Sequence, residues 1–197
     1  TRGQAFYDLL LAVDPSDDTV VYAGGIDLFR SSDSGTNWEQ ISKWSNNNLL
    51  EDETISLVHA DQHTLVFHPT DSDKAIIGND GGVYYASSLS GATSSTSAIE
   101  SRNTDYNVTQ FYSVAIGQDP DNEILLAGAQ DNGSQFVSGA TEGVNSFTDL
   151  FGGDGAMEFI DKDGAYAIVS YVYNYYYTQP LPFTSIGALV KALNKDG

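Results

Sequence analysis

Short blocks of apolar residues alternate with acidic or glycine-rich turns along most of the chain, as in β-strands joined by tight turns. One unit of the pattern holds an apolar strand, an acidic turn, a second apolar strand, a turn rich in Gly or Asn, and a third strand. Four copies can be placed, and their first strands are 10–13, 64–67, 112–116 and 156–160. The recurrence predicts a repeat protein built from β-strands.

The spacing of the copies predicts the fold class. Equivalent positions in the four first strands are Val13, Phe67, Ile116 and Phe159, which lie 54, 49 and 43 residues apart. A four-stranded propeller blade takes roughly 40 to 50 residues. We therefore predict an all-β fold of about four β-propeller blades, each a four-stranded antiparallel sheet. The blades are approximately residues 7–58, 59–106, 107–151 and 152–197.

Four blades are few for a propeller, since known rings have roughly 4 to 8. Each blade covers the next, so an open arc of four would leave an apolar sheet face exposed at each end. We therefore expect these blades to be part of a larger ring. Either the rest of a larger propeller or another copy of the chain would complete it.

Three segments fit the repeat less closely. Residues 89–103 are rich in Ser, Thr and Ala, and we predict the outer strand and loop of the second blade there. Residues 185–193 fit either a short helix or a distorted last strand. A tyrosine cluster alternates as on a strand with one aromatic face, which favours packing against a neighbouring blade; a sugar-stacking platform is the alternative. Its members are Tyr171, Tyr173, Tyr175, Tyr176 and Tyr177.

The run from Ser31 to Trp38 predicts a turn with its own chemistry. Asp33 can fold its carboxylate onto backbone N–H groups, Gly35 can take a positive φ, and Trp38 can cover the hairpin end. The pattern S-x-D-x-G-x-x-W resembles the Asp-box, or BNR repeat, of sialidase-type, sortilin-type and xyloglucanase-type β-propellers. Asn37 stands where that family usually has Thr. An ordinary Asp-Gly hairpin is the alternative.

Propeller connectivity sorts the loops onto two faces. The loop that enters the first strand of each blade, and the turn between the second and third strands, open on one face, which we call the mouth. The predicted mouth segments are 59–63, 79–82, 108–111, 130–133 and 152–155. The acidic turns and the Ser31–Trp38 turn open on the opposite face. Ligands of closed β-rings bind at the mouth, so we expect the functional site there.

Acidic and amide side chains dominate the mouth. Glycoside hydrolysis needs two carboxylates, one of them kept protonated by its surroundings. The candidate catalytic residues are Asp61, Asp80, Asp131 and Asp154, and the sequence does not separate the acid from the base. The candidate ligand-binding residues are His59, Gln62, His63, Asn79, Gln110, Gln130 and Asn132. Turn formation alone is the alternative for 79–82 and 131–133, since Asn and Gly tolerate positive φ.

The mouth segments 59–63, 78–84, 130–134 and 152–155 look like those of secreted bacterial proteins of the Asp-box or sortilin-like glycosyl hydrolase type, and this resemblance covers roughly residues 7–177. Xyloglucanase-type relatives imply hydrolysis of a β-glucan by two Asp carboxylates. Sortilin-type relatives imply peptide binding inside the ring. Sialidase-type relatives imply a clamp of three arginines on a carboxylate. This chemistry fits poorly, because Arg30 belongs to the face opposite the mouth. We expect a binding or surface-scaffold module for carbohydrate or peptide, with a glycoside hydrolase or its inactive remnant as the alternative.

Composition narrows the partners and the compartment. The 27 acidic residues against 8 basic ones give a net charge of -19, which argues against nucleic acid and anionic membrane surfaces. The chain has no cysteine, which excludes a disulfide framework and a thiol nucleophile. No apolar run approaches the roughly 18 to 20 residues of a spanning helix. We expect a secreted or cell-surface protein that is not inserted in a membrane.

Neither a metal nor a cofactor is predicted. Residues 161–164 resemble the opening of a calcium loop, but the later acidic ligand of that pattern is missing, so a plain turn is favoured. His59 and His63 stand four residues apart, a spacing that suits zinc only on a helix.

Overall fold

The computed structural model describes residues 4–45, 54–106, 108–118, 123–143, 145–171, 175–183 and the backbone of 190–192. Their strands form four antiparallel sheets of four strands each. This topology confirms the predicted all-β, propeller-like fold. The chain divides into two compact units, which we call the first unit (Thr1–Asn107) and the second unit (Val108–Gly197).

The first unit holds two of the four-stranded sheets. One consists of β1 (Leu10–Asp14), β2 (Asp17–Gly24), β3 (Leu28–Ser31) and β4 (Glu39–Gln40). The other consists of β7 (Gln62–His68), β8 (Asp71–Asn79), β9 (Gly82–Ala86) and β10 (Ile99–Ser101). A short parallel pair, β5 (Ser42–Lys43) and β6 (Ser56–Leu57), lies between them in the sequence. A 3-10 turn spans Ala92–Ser94, and no described helix is long and apolar enough to cross a membrane.

The second unit repeats this arrangement. Its first sheet consists of β11 (Ser113–Ile116), β12 (Ile124–Ala129), β13 (Gly133–Ser138) and β14 (Thr148–Phe151). Its second sheet consists of β15 (Glu158–Ile160), β16 (Tyr166–Tyr171), β17 (Tyr175–Pro180) and β18 (Val190–Ala192). In every sheet the strands pair in sequence order, so neighbouring strands need only short antiparallel connections.

The facing surfaces of the two sheets form the core of the first unit. Strand alternation places Leu10 and Tyr22 on one side and Phe67 and Ile77 on the other, and all four belong to one apolar cluster. The rings of Tyr22 and Phe67 meet edge to face with centroids 5.6 Å apart. The opposite face of β1 carries Leu11, which is 72% exposed. One face of this sheet is therefore buried within the unit and the other is apolar but open.

The core of the second unit is smaller and more aromatic. Leu126, Leu150, Ala167 and Val169 are buried there, with Phe136, Phe151 and Tyr177 packed around them. The centroid of the Phe151 ring lies 4.7 Å from that of Tyr177 and 5.9 Å from that of Tyr171. This confirms the packing interpretation for these two tyrosines. Tyr173, most of the acidic turn 118–122, and residues 185–189 and 193 of the predicted tail lie outside the described residues.

The Ser31–Trp38 turn is closed by its own side chains. Asp33 accepts hydrogen bonds at Oδ1 from the backbone N–H of Asn37 (2.8 Å) and at Oδ2 from the Asn37 amide (2.6 Å). The hydroxyl of Ser31 donates to Asp33 and accepts from the N–H of Gly35, whose φ is 84°. The indole of Trp38 donates to the Gly35 carbonyl at 3.0 Å. The Asn37 and Ser31 bonds lower the pKa of Asp33 to about 2.

Hydrogen bonds place this turn at one end of the first unit. The N–H of Ser34 donates to the carbonyl of Thr19, at the start of β2. The hydroxyls of Ser16 and Ser72 lie 2.8 Å apart and join the β1–β2 connection to the β7–β8 connection. The β2–β3 and β8–β9 turns lie at the opposite ends of the same strands. The predicted mouth segments of this unit are therefore remote from the Ser31–Trp38 turn.

Candidate functional site

A carboxylate held by two aromatic side chains lies at the mouth of the first unit. Asp80, in the β8–β9 turn, accepts a hydrogen bond from the hydroxyl of Tyr7 at 2.8 Å. Its other oxygen lies 2.5 Å from Nε2 of His63, on β7. The rings of Tyr7 and His63 meet edge to face at 5.2 Å. The ring of Phe6, beside Tyr7 in the sequence, is 90% exposed.

Asp61 is a buried acidic residue of this site. The residue is 6% exposed, and its φ of 65° is rare for a residue that is not glycine. The amide of Gln4 donates to Asp61 Oδ1 at 2.8 Å and to Asp8 Oδ2 at 3.3 Å. The backbone N–H of Asp61 donates to the carbonyl of Ile26. These bonds fix the loop before β7 against the segments that flank the first sheet.

Asp61 and Asp80 converge. They offer carboxylate oxygens within 4.8 Å of each other. Two of the four predicted aspartates therefore share a surface in the first unit, one buried and the other held at the rim by His63 and Tyr7.

Gln62, His59 and Asn79 have supporting contacts. Gln62 is fully buried, and its amide donates to the carbonyls of His59 (2.5 Å) and Ile26 (3.1 Å). Asn79 donates to the Gln62 side chain and accepts from the N–H of Gly81. A Cβ at Gly81 would collide with Cβ of His59, so the imidazole covers a position that only glycine can fill. These residues therefore shape the β8–β9 turn. Of the two predicted histidines, His63 is the one that contacts a carboxylate.

The second unit brings its own two aspartates together. The backbone N–H of Asp131 donates to Oδ1 of Asp154 at 3.0 Å, and Asp131 has a φ of 60°. Gln130 accepts a hydrogen bond from the Tyr112 hydroxyl at 2.5 Å. The amide of Asn132 donates to the Gln130 carbonyl. Gln110 is exposed before β11. Turn formation accounts for the Asn132 contact, as the sequence left open.

A cavity of about 550 Å³ in the second unit lies away from these residues. Gly117, Ile124, Ile160 and Lys162 line it, together with Leu181 and Pro182, which follow β17. The first four lie where the first strand of each sheet connects to the second, at the end opposite the predicted mouth. The predicted site residues therefore lie outside this cavity.

Three functional candidates were missed by the sequence patterns. Gln4, Tyr7 and Asp8 contact the site, yet they precede the first strand and belong to no repeat. Tyr7 next to Phe6 was visible as an aromatic pair, but nothing local indicated which carboxylate it would meet. Their position depends on a contact between residues 73 apart in the sequence.

No protein-family model matches the chain, and no curated protein matches it. Among solved structures, an ancestral GH74 enzyme is 13% identical with a TM-score of 0.33 over 91% of this chain, which spans 26% of that enzyme's chain. YCF48 from Cyanidioschyzon merolae is 11% identical with a TM-score of 0.29, over 94% of this chain and 71% of its own. Scores this low carry no argument about function. The fold follows from the four sheets: the chain is an all-β protein of the propeller-like class.

Proposed function

We propose that this chain is an extracytoplasmic propeller module that binds carbohydrate at the mouth of its first unit. The observation that carries the proposal is the Asp80 carboxylate, fixed by His63 and Tyr7 beside exposed aromatic rings. Each carboxylate oxygen has two acceptor sites, so Asp80 keeps capacity to accept hydroxyl groups of a ligand. The rings of Phe6 and Tyr7 offer apolar faces on which a sugar ring can stack.

Charge favours a neutral saccharide. The net charge of -19 repels polyanions, and a neutral sugar carries the hydroxyl donors that a carboxylate accepts. A basic peptide is the competing ligand, because it would be attracted by the same charge. The two classes differ in salt dependence, since screening weakens an ionic partner much more than a neutral one.

Calorimetric titration of the full chain tests the proposal. The ligands are neutral β-glucan oligosaccharides, with an acidic oligosaccharide and a lysine-rich peptide for comparison. We expect binding of the neutral sugars, and a loss of about tenfold in affinity for Asp80→Asn, since hydrogen bonds to charged groups contribute roughly 1.5 to 3 kcal/mol. Asp163→Asn, an exposed change at the opposite end of the strands, is the matched control. Unchanged affinity in Asp80→Asn, or binding of the peptide alone, contradicts the proposal.

Glycoside hydrolysis is the second candidate, and the convergence of Asp61 and Asp80 favours it. Their oxygens lie within 4.8 Å, and retaining glycosidases place their two carboxyl groups about 5 to 5.5 Å apart. On this hypothesis the buried Asp61 and the rim Asp80 share acid and nucleophile roles. Release of reducing sugar from β-glucans should then disappear in both Asp61→Asn and Asp80→Asn and persist in Asp163→Asn. Binding without release in the wild-type protein leaves the carbohydrate-binding module and removes the hydrolase.

Two further parts of the proposal concern the fold. The closed hydrogen-bond pattern of Ser31, Asp33, Gly35 and Trp38 supports an Asp-box that locks the first sheet. The open apolar face at Leu11 supports completion of the ring by the rest of a larger propeller or by another copy. Light scattering of the full chain, with Leu11→Ser as the variant, tests whether another copy covers this face.

A further inference from the structure

A glutamate is buried between the two sheets of the second unit. Glu158 begins β15 and is 3% exposed. Its Oε1 accepts a hydrogen bond from the hydroxyl of Ser134, on β13, at 2.8 Å. Its Oε2 is buried and has no hydrogen-bond partner among the residues that the structure describes. One hydrogen bond is too few for a buried carboxylate, because an ionised carboxylate has about four acceptor sites to satisfy.

The backbone around Glu158 leaves little space for rearrangement. A Cβ at Gly128, on β12, would lie 2.5 Å from Glu158 Oε1 and 2.6 Å from the carbonyl oxygen of Ala156. The hydroxyl of Ser113 accepts from the N–H of Glu158 and donates to that same carbonyl. The carboxyl group therefore packs against the backbone of Gly128, and the Ser113 hydroxyl fixes the start of β15 beside β11.

The first unit offers a neutral counterpart in a comparable place. Gln62 begins β7, the first strand of the second sheet there, and is fully buried. It packs on Gly24 of β2, where a Cβ would lie 2.9 Å from Cβ of Gln62. The Gln62 amide has hydrogen bonds on both its nitrogen and its oxygen. A neutral side chain is therefore accommodated where the second sheet packs on a glycine of the first sheet. A protonated carboxyl group has a similar shape.

The loop that carries Asp154 packs beside Glu158, where the two sheets meet. The N–H of Gly155 donates to the carbonyl of Ala129, and a Cβ at Gly155 would collide with the Gly133 carbonyl oxygen. With the loop in this position, the Asp154 carboxylate accepts a hydrogen bond from the N–H of Asp131 at 3.0 Å. Loosening this packing would therefore release Asp154 from the β12–β13 turn.

We propose that Glu158 is a pH-sensitive contact that holds the two sheets of the second unit together. Its neutral carboxyl group holds the 152–156 loop in place, and its ionisation loosens that loop and frees Asp154. Burial raises the pKa of Glu158 to about 7, and the Ser134 hydrogen bond opposes this rise. The group therefore changes charge close to neutral pH.

The surroundings contain few competing titrations. The strands β11, β12 and β13 carry no ionisable side chain, β14 carries Asp149, and the ionisable side chains of β16 and β17 are all tyrosines. The preceding loop carries Asp154. None of these groups contributes to the shift in the pKa of Glu158. The three histidines of the chain all belong to the first unit.

Hydrogen exchange of the full chain, followed by mass spectrometry at pH 5 and pH 8, tests whether ionisation of Glu158 loosens this contact. Labelling times are corrected for the pH dependence of the chemical exchange rate. Peptides that cover 124–129 and 152–160 should exchange about tenfold faster at pH 8 after this correction, because ionisation is coupled to opening. In Glu158→Gln the same peptides should stay protected at both values. Glu142→Gln, an exposed change in the same unit, should behave as the wild type.

A reciprocal variant checks the same idea in the other unit. Gln62→Glu should transfer the pH dependence to peptides that cover 62–68, either as faster exchange at pH 8 or as a protein that folds only at the lower pH. Equal corrected exchange of 152–160 at pH 5 and pH 8 in the wild type overturns the proposal. A Glu158→Gln protein that keeps the wild-type pH dependence, or that fails to fold, overturns it as well.

Discussion

Replacing Glu158 by Gln should remove a defined part of the pH dependence of folding. The pKa of Glu158 is raised from 4.5 to about 7 by burial. Between these values the native protein holds a proton that the unfolded chain has lost, so the free energy of unfolding falls as pH rises. At about 1.36 kcal/mol per pKa unit, this glutamate removes about 3 kcal/mol between pH 4 and pH 8. The Glu158→Gln variant lacks this loss, because its amide does not ionise.

Urea denaturation followed by circular dichroism measures the effect. The difference in unfolding free energy between Glu158→Gln and the wild type should be close to zero at pH 4. It should grow to about 3 kcal/mol in favour of the variant at pH 8. Taking the difference cancels the titration of every group that the two proteins share. A difference that stays constant across this range, or that favours the wild type at pH 8, refutes the argument that the buried carboxyl group is neutral in the native state.

Three other perturbations have expected outcomes. Leu28→Ala, at a fully buried position, should lower the free energy of unfolding by about 2 to 5 kcal/mol, whereas Leu11→Ala on the exposed face should change it by less than about 1 kcal/mol; urea titration compares them. Because the pKa of Asp33 is lowered, its carboxylate stabilises the first unit above about pH 4, and this stabilisation is lost as pH falls to about 2. Asp33→Asn should therefore lose less stability than the wild type over this pH range, as measured by tryptophan fluorescence. Gly81→Ala should displace the His59 loop and cost about 1 to 3 kcal/mol, while Gly152→Ala, with open space at its Cβ, should not destabilise in thermal unfolding.

The strands were predictable because their signals are local. Each acidic turn and each Asn-Gly or Gly-Gly turn separates short apolar runs, and these runs became the paired strands of the four sheets. The equivalence of Val13, Phe67 and Ile116 agrees with the strand register, because they pair with Val21, Ala75 and Leu125, each three residues before a Gly of the second strand. The fourth position, Phe159, was wrong by one residue, since its neighbour Ile160 packs on the core of the second unit while Phe159 is half exposed. A period of about 50 residues places a strand but does not fix its register to one residue, and one residue reverses the face.

The site was predictable only in part. The convergence of Asp61 with Asp80, and of Asp131 with Asp154, follows from the positions of turns on blades. The roles of Tyr7 and Gln4 depend on long-range contacts that no repeat encodes. Glu158 is one acidic residue among 27 in the sequence, and its importance comes from burial against Gly128. Burial of a single side chain between sheets is decided by packing, not by the local pattern.

The proposed carbohydrate site beside Asp80 can be located residue by residue. The measurement is of backbone amide shifts of the full chain, recorded by NMR during titration with a neutral β-glucan oligosaccharide. We expect saturable shifts grouped in residues 59–63 and 79–82 and around Tyr7, and their loss in Asp80→Asn. Shifts confined to the Ser31–Trp38 turn or to residues 161–164, at the opposite ends of the strands, would contradict it.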